Sequence, residues 1–163
     1  MTVLGSLERG SKARRRLRSG ALGAMLLLAI QNVVGIFLNL YVAVTAQESY
    51  GGVLPALVGS SAGTIHFLDA IALFVGLIVM LIVGRRTGDW RLTGLNSGAL
   101  IAFLIAAYSG FHFVYSGENA YSFLMEMGFL GVVLAEAGIL AIVGGSATLP
   151  PPVGDHPGMA STR

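Results

Sequence analysis

The stretch GTIHFLDAIALFVGLIVMLIV, residues 63–83, decides the fold. It carries no Lys or Arg, and its apolar run matches the roughly 20 residues that a helix needs to cross a hydrocarbon core of about 30 Å. Its head is different. His66 and Asp69 stand one helical turn apart, although an Asp at the centre of a spanning helix costs about 2.5–3.5 kcal/mol on insertion scales. Such groups face protein or water, so the pair marks the inward side of a membrane helix. Steps of three and four carry that side on through Leu73, Gly76, Met80 and Val83.

Working outward from this helix, three more stretches qualify as spans, which gives spans at about 21–44, 62–84, 95–114 and 121–144. The whole chain agrees: of 163 residues, 55% are apolar and 11% charged, and the mean hydropathy is +0.78, whereas a soluble domain is about 25% charged. The expected fold is therefore all-α, a polytopic four-helix membrane bundle. Residues 1–20 form a basic segment, 21–144 the membrane domain, and 145–163 a Pro- and Gly-rich tail expected to be disordered. His156 falls in that tail. The first span is expected to remain uncleaved, because it is longer than the 7–15-residue core of a signal peptide.

Basic residues are held back on the cytoplasmic side during insertion. Arg9, Lys12, Arg14, Arg15, Arg16 and Arg18 precede the first span, Arg85, Arg86 and Arg91 separate the second from the third, and Arg163 ends the chain. The opposite loops hold Gln47, Glu48, Ser49, Ser116, Glu118 and Asn119, with no Lys or Arg. A cell-membrane protein with both termini cytoplasmic follows. The net charge of +2 and pI near 9.3 reflect bases placed beside anionic headgroups, each worth about 1 kcal/mol there, and nucleic acid is not an expected partner. With no cysteine, disulfides, thiolate metal sites and c-type haem attachment are excluded.

The other spans carry stripes of their own. Ala24, Leu28, Gln31, Gly35 and Leu38 share one side of the first, with Asn32 and Asn39 at its margin. On the third, Gly94, Gly98, Ile101, Ile105, Tyr108, His112 and Tyr115 step by three and four, and Gly94 and Gly98 have a helix-packing spacing. This stripe is expected to face inward. Gly128, Gly131, Ala135 and Gly138 form a small-residue seam on the fourth. At 1.5 Å per residue, His66 and His112 fall at similar height near the non-cytoplasmic surface, with Asn39 and Glu126 in the same layer and Asp69 one turn deeper. Glu126 projects away from the seam of its helix. Glu136 lies nearer the cytoplasmic side, where Gln31 or a base from the Arg85, Arg86, Arg91 loop could meet it.

Two imidazoles facing one another across a bundle can supply both axial ligands of a b-type haem. His66 and His112 are the candidate haem-iron ligands, Asp69 is placed to orient His66, and Phe67, Tyr108, Phe111, Phe113 and Tyr115 supply aromatic walls. The outer loops offer no cation for haem propionates. A divalent metal or a proton relay is the alternative use of the same residues, and plain hydrogen bonding between helices is another. Ser-x-x-Lys, Gly-x-Ser-x-Gly, His-Glu-x-x-His and phosphate-loop patterns are all missing, so no catalytic residue is assigned.

The segments QNVVGIFLNLYVAV, HFLDAIALFVGLIVMLIV and YSGFHFVYSGENAYSFLMEMGFL resemble a group of small four-helix membrane proteins of prokaryotes and, more distantly, one half of the haem A synthase family. The resemblance covers about residues 29–140. It implies a four-helix unit holding haem near the outer face through histidines, one at the head of the second helix, where His66 stands. The second histidine of such a half is implied on the fourth helix, where this chain has Met125, Glu126 and Met127. The expected function is a non-catalytic membrane protein with a haem or polar site. Two alternatives stand beside it: a structural or accessory subunit meeting a membrane-protein partner or a second copy, and a proton or small-solute conductor using Asp69, Glu126 and Glu136.

Overall fold

The computed structural model describes residues 3–41 and 49–145. Five helices follow one another: α1 (Val3–Tyr41), α2 (Tyr50–Val58), α3 (Ser61–Arg86), α4 (Trp90–Ser116) and α5 (Asn119–Gly145), with no strand among the described residues. Four are long and apolar enough to cross a membrane, over Gly10–Leu38, Ser61–Arg86, Trp90–Ser116 and Asn119–Gly145. The protein is thus an all-α, four-span membrane bundle.

Neighbouring spans alternate in direction and close a ring. α1 packs on α3, α3 on α4, α4 on α5 and α5 back on α1, while among the described residues no close backbone approach joins the diagonal pairs. The core is mainly apolar: Leu17, Ala21, Ala24 and Leu28 of α1 form one cluster with Leu73, Leu77 and Met80 of α3, Leu92 and Ala99 of α4, and Val132, Ala135, Ile139 and Val143 of α5. Large side chains such as Leu26, Val33, Val75 and Leu134 are exposed outside it, which suits lipid as the surrounding solvent.

The turns are set by local chemistry. Ser60 caps α3 by accepting the Gly63 N–H at 3.0 Å. Asp89 caps α4, its Oδ1 accepting the Arg91 N–H at 3.0 Å, while its Oδ2 accepts from Arg14 Nη2 at 3.2 Å. One carboxylate thereby starts a helix and holds α1 beside the α3–α4 turn. α4 ends at Gly117, whose φ of 71° is left-handed and lets its N–H reach the Phe113 carbonyl at 2.8 Å.

Three features add to the sequence reading or differ from it. The basic segment is helical and continuous with the first span, in α1 from Val3 onward. Arg14 is drawn into the fold by Asp89, and the helix runs through the bases unbroken. The loop before α3 contains α2, a nine-residue helix with Pro55 inside it, anchored by a fully buried Val53 and packed on α3 and α4. Finally, α4 turns its expected inward stripe outward. Ile101, Ile105 and Tyr108 are 59%, 43% and 60% exposed, whereas Leu92, Asn96, Ala99, Ser109 and Val114 are buried. A methyl added at Gly94 or Gly98 would meet nothing within 4 Å.

The small-residue seam of α5 does pack. A Cβ at Gly128 would come within 2.7 Å of the Ala102 carbonyl oxygen, and one at Gly131 within 2.9 Å of the Ala102 methyl. α5 therefore lies against α4 at backbone distance. The Asn39 side chain, Gln47, Glu48 and the tail beyond Gly145, with His156, lie outside the described residues.

Candidate functional site

His66 sits on the second turn of α3 and Asp69 one turn further on, both directed at α1. Opposite them stands Gln31. With its amide oriented to satisfy every partner, the Gln31 nitrogen donates to Asp69 Oδ2 at 2.8 Å and to the His66 carbonyl at 3.0 Å, and its oxygen accepts from His66 Nε2 at 3.0 Å. The amide orientation fixes the imidazole as an Nε2–H donor. Gly35, one turn above Gln31, makes room for the ring: a Cβ there would lie 3.4 Å from His66 Cε1. Asp69 is buried at 8% exposure and His66 half-buried. Three polar side chains from two helices form one closed clasp.

His112 has different company. Its ring stacks on Tyr121 of α5 at 5.0 Å and 21°, lies 4.3 Å from Tyr108, and meets Tyr50 of α2 edge-on at 5.7 Å. Tyr50 in turn stacks on Tyr115 at 4.1 Å and faces Phe111 at 6.3 Å. This aromatic cluster ties α2 and α5 to the outward stripe of α4. Tyrosines in a membrane protein collect at the interface, where the ring is shielded and the hydroxyl wet. His112 is half-buried because tyrosines cover it, not because α4 turns it toward the core.

The two histidines thus belong to separate clusters. The partners of His66 lie on α1 and α3, those of His112 on α2, α4 and α5, and no residue or contact is shared among those described. A haem bound by both would need Gln31 to release Nε2 of His66 and the tyrosines to uncover His112. The side chains as placed do not fit such a group. Among the described residues no three of His, Cys, Asp or Glu gather where they could hold a metal ion.

The acidic residues divide as well. Glu126 is exposed on α5. Glu136 is 0% exposed, and neither of its oxygens has a hydrogen-bond partner among the described residues. Gln31, one of the partners expected for it, is engaged by His66 and Asp69. Glu136 lies nine residues before the end of α5, about 13 Å along the axis. It projects with Val132, Ile139 and Val143 toward the bundle interior.

Sequence reasoning passed over two polar core residues, Asn96 and Ser109. Asn96 donates to the Leu92 carbonyl at 2.7 Å, while its Oδ1 and the Ser109 hydroxyl are buried without partners among the described residues. Their position on the helix was the available signal. Polar side chains within a span avoid lipid, and both fall on the face of α4 that proves to be buried.

Comparison with protein-family models, curated proteins and solved structures gives no match. Fold and polar clusters together define a class, the multi-pass integral membrane proteins built on a four-helix bundle.

Proposed function

We propose that this chain is a non-catalytic membrane protein with a structural or accessory role, in which the polar residues near the His66 end join helices to one another. The clasp carries this reading. Gln31, His66 and Asp69 have the chemistry of a binding site, yet each spends it on the others across the α1–α3 seam, and interhelical hydrogen bonds are a common use of polar side chains in membranes. Four spans and the grouping of bases around the first span and the α3–α4 turn support a cell-membrane location with both termini cytoplasmic.

The test is an absorption spectrum of the full chain purified in mild detergent from haem-replete cells. The clasp reading expects no Soret band and a lowered thermal midpoint in Gln31→Leu. A Soret band that collapses in His66→Ala and His112→Ala would replace it with the haem reading.

Glu136 favours a second reading. A buried carboxyl with no partner is costly as an anion and far less so as the neutral acid, which suits a residue that takes up and gives back a proton. Proteoliposomes expose this directly: proton flux lost in Glu136→Gln supports conduction, and flux equal to protein-free vesicles removes it.

A further inference from the structure

Below the clasp, the α1–α3 seam opens. A groove of about 540 Å³ is lined on α1 by residues from Arg16 to Leu27 and on α3 by residues from Leu73 to Val83. The two helices touch where Gly20 receives Met80, whose side chain would lie 3.0 Å from an added Cβ, but at Gly23 and Gly76 an added Cβ would meet nothing within 4 Å. The glycines here leave a hollow.

Its dimensions and chemistry select the occupant. Arg16 to Leu27 is eleven helical steps, about 16 Å at 1.5 Å per residue, the depth of one leaflet of a core about 30 Å thick. The walls are apolar apart from Arg16 at one end, and no described residue pairs with Arg16, unlike Arg14, which Asp89 holds. Arg15, Arg18, Arg85 and Arg86 are exposed at the same end. A second copy inserted in the same direction would set arginines against arginines. An apolar slot one leaflet deep with a cation at its mouth matches an acyl chain carrying an anionic headgroup, the arrangement of basic interhelical lipid sites.

We propose that the α1–α3 groove is a binding site for one anionic phospholipid, its acyl chain lying along Gly23 and Gly76 and its phosphate on Arg16. The full chain in detergent is offered dioleoylphosphatidylglycerol or dioleoylphosphatidylcholine, and retained lipid is counted by native mass spectrometry. The wild type is expected to hold one phosphatidylglycerol in preference to phosphatidylcholine. Arg16→Gln lowers phosphatidylglycerol retention about five-fold, equivalent to about 1 kcal/mol, and leaves phosphatidylcholine unchanged. Gly76→Leu fills the groove and removes both, with Gly23→Leu as the second variant should the first not fold. Arg86→Gln, which lies outside the lining, keeps wild-type retention. Retention undiminished in the folded leucine variant overturns the site, and so does an Arg86→Gln loss as large as that of Arg16→Gln, since attraction would then be diffuse.

Discussion

The α4–α5 seam and the α1–α3 seam use glycine in opposite ways. Between α4 and α5, Gly128, Gly131 and Gly138 bring the helices together until Ala102, Ala106 and Leu95 occupy the space a side chain would take. Between α1 and α3, Gly23 and Gly76 face open space, and the helices are joined beside that hollow by the Gln31 amide, by the Gly20–Met80 contact and by core side chains such as Leu17, Leu28, Leu73 and Leu77. Lipid gives little hydrophobic reward for helix association. A membrane bundle then has two means of holding a seam: close approach over small residues, or a few directed hydrogen bonds. The first leaves no vacancy, while the second tolerates one.

Substitution can break this contrast, and the largest effect is expected in the close-packed seam. Gly128→Leu must displace α4 backbone at Ala102 and Ala106, which places it at or beyond the ~3 kcal/mol upper end of ordinary overpacking. The thermal midpoint in detergent should fall steeply, whereas Gly76→Leu should leave it nearly unchanged. Equal losses at the two glycines would erase the distinction.

A smaller effect belongs to the clasp. A double-mutant cycle of Gln31→Leu and Asp69→Leu should show a coupling of about 0.6 kcal/mol, with ~1.7 as the upper bound seen for interhelical hydrogen bonds in membranes. Zero coupling would mean that the α1–α3 seam rests on packing after all. Smallest of all is the Arg14–Asp89 pair, 37% and 21% exposed. Arg14→Gln should cost about 0.2–1 kcal/mol and lose its effect in high salt.

The four spans were legible because the bilayer demands long apolar runs, and the inward face of α3 was legible because His66 and Asp69 stand out against lipid-compatible neighbours. α4 offered no such contrast. Its core positions Leu92 and Ala99 are as apolar as the outward Ile101 and Ile105, so periodicity among apolar residues could not choose between them. The glycines and aromatics drew the stripe to the wrong side, although Asn96 and Ser109 marked the right one. α2 escaped notice because nine residues containing Gly51, Gly52 and Pro55 show neither length nor propensity. At the site, the sequence carried the right residue types without their partners. Gln31 was legible as inward-facing, but α1 adjoins both α3 and α5, and its partners in space, His66 and Asp69 rather than Glu136, depend on the depth at which the helices are set against one another.

The unbroken course of α1 has a mechanical consequence. From Arg14, where Asp89 grips it, the helix continues eleven residues to Val3, a further 16 Å or so. Backbone hydrogen bonds run through it without a break, so whatever turns α1 at Arg14 swings the far end with it, as a lever turns about its pivot.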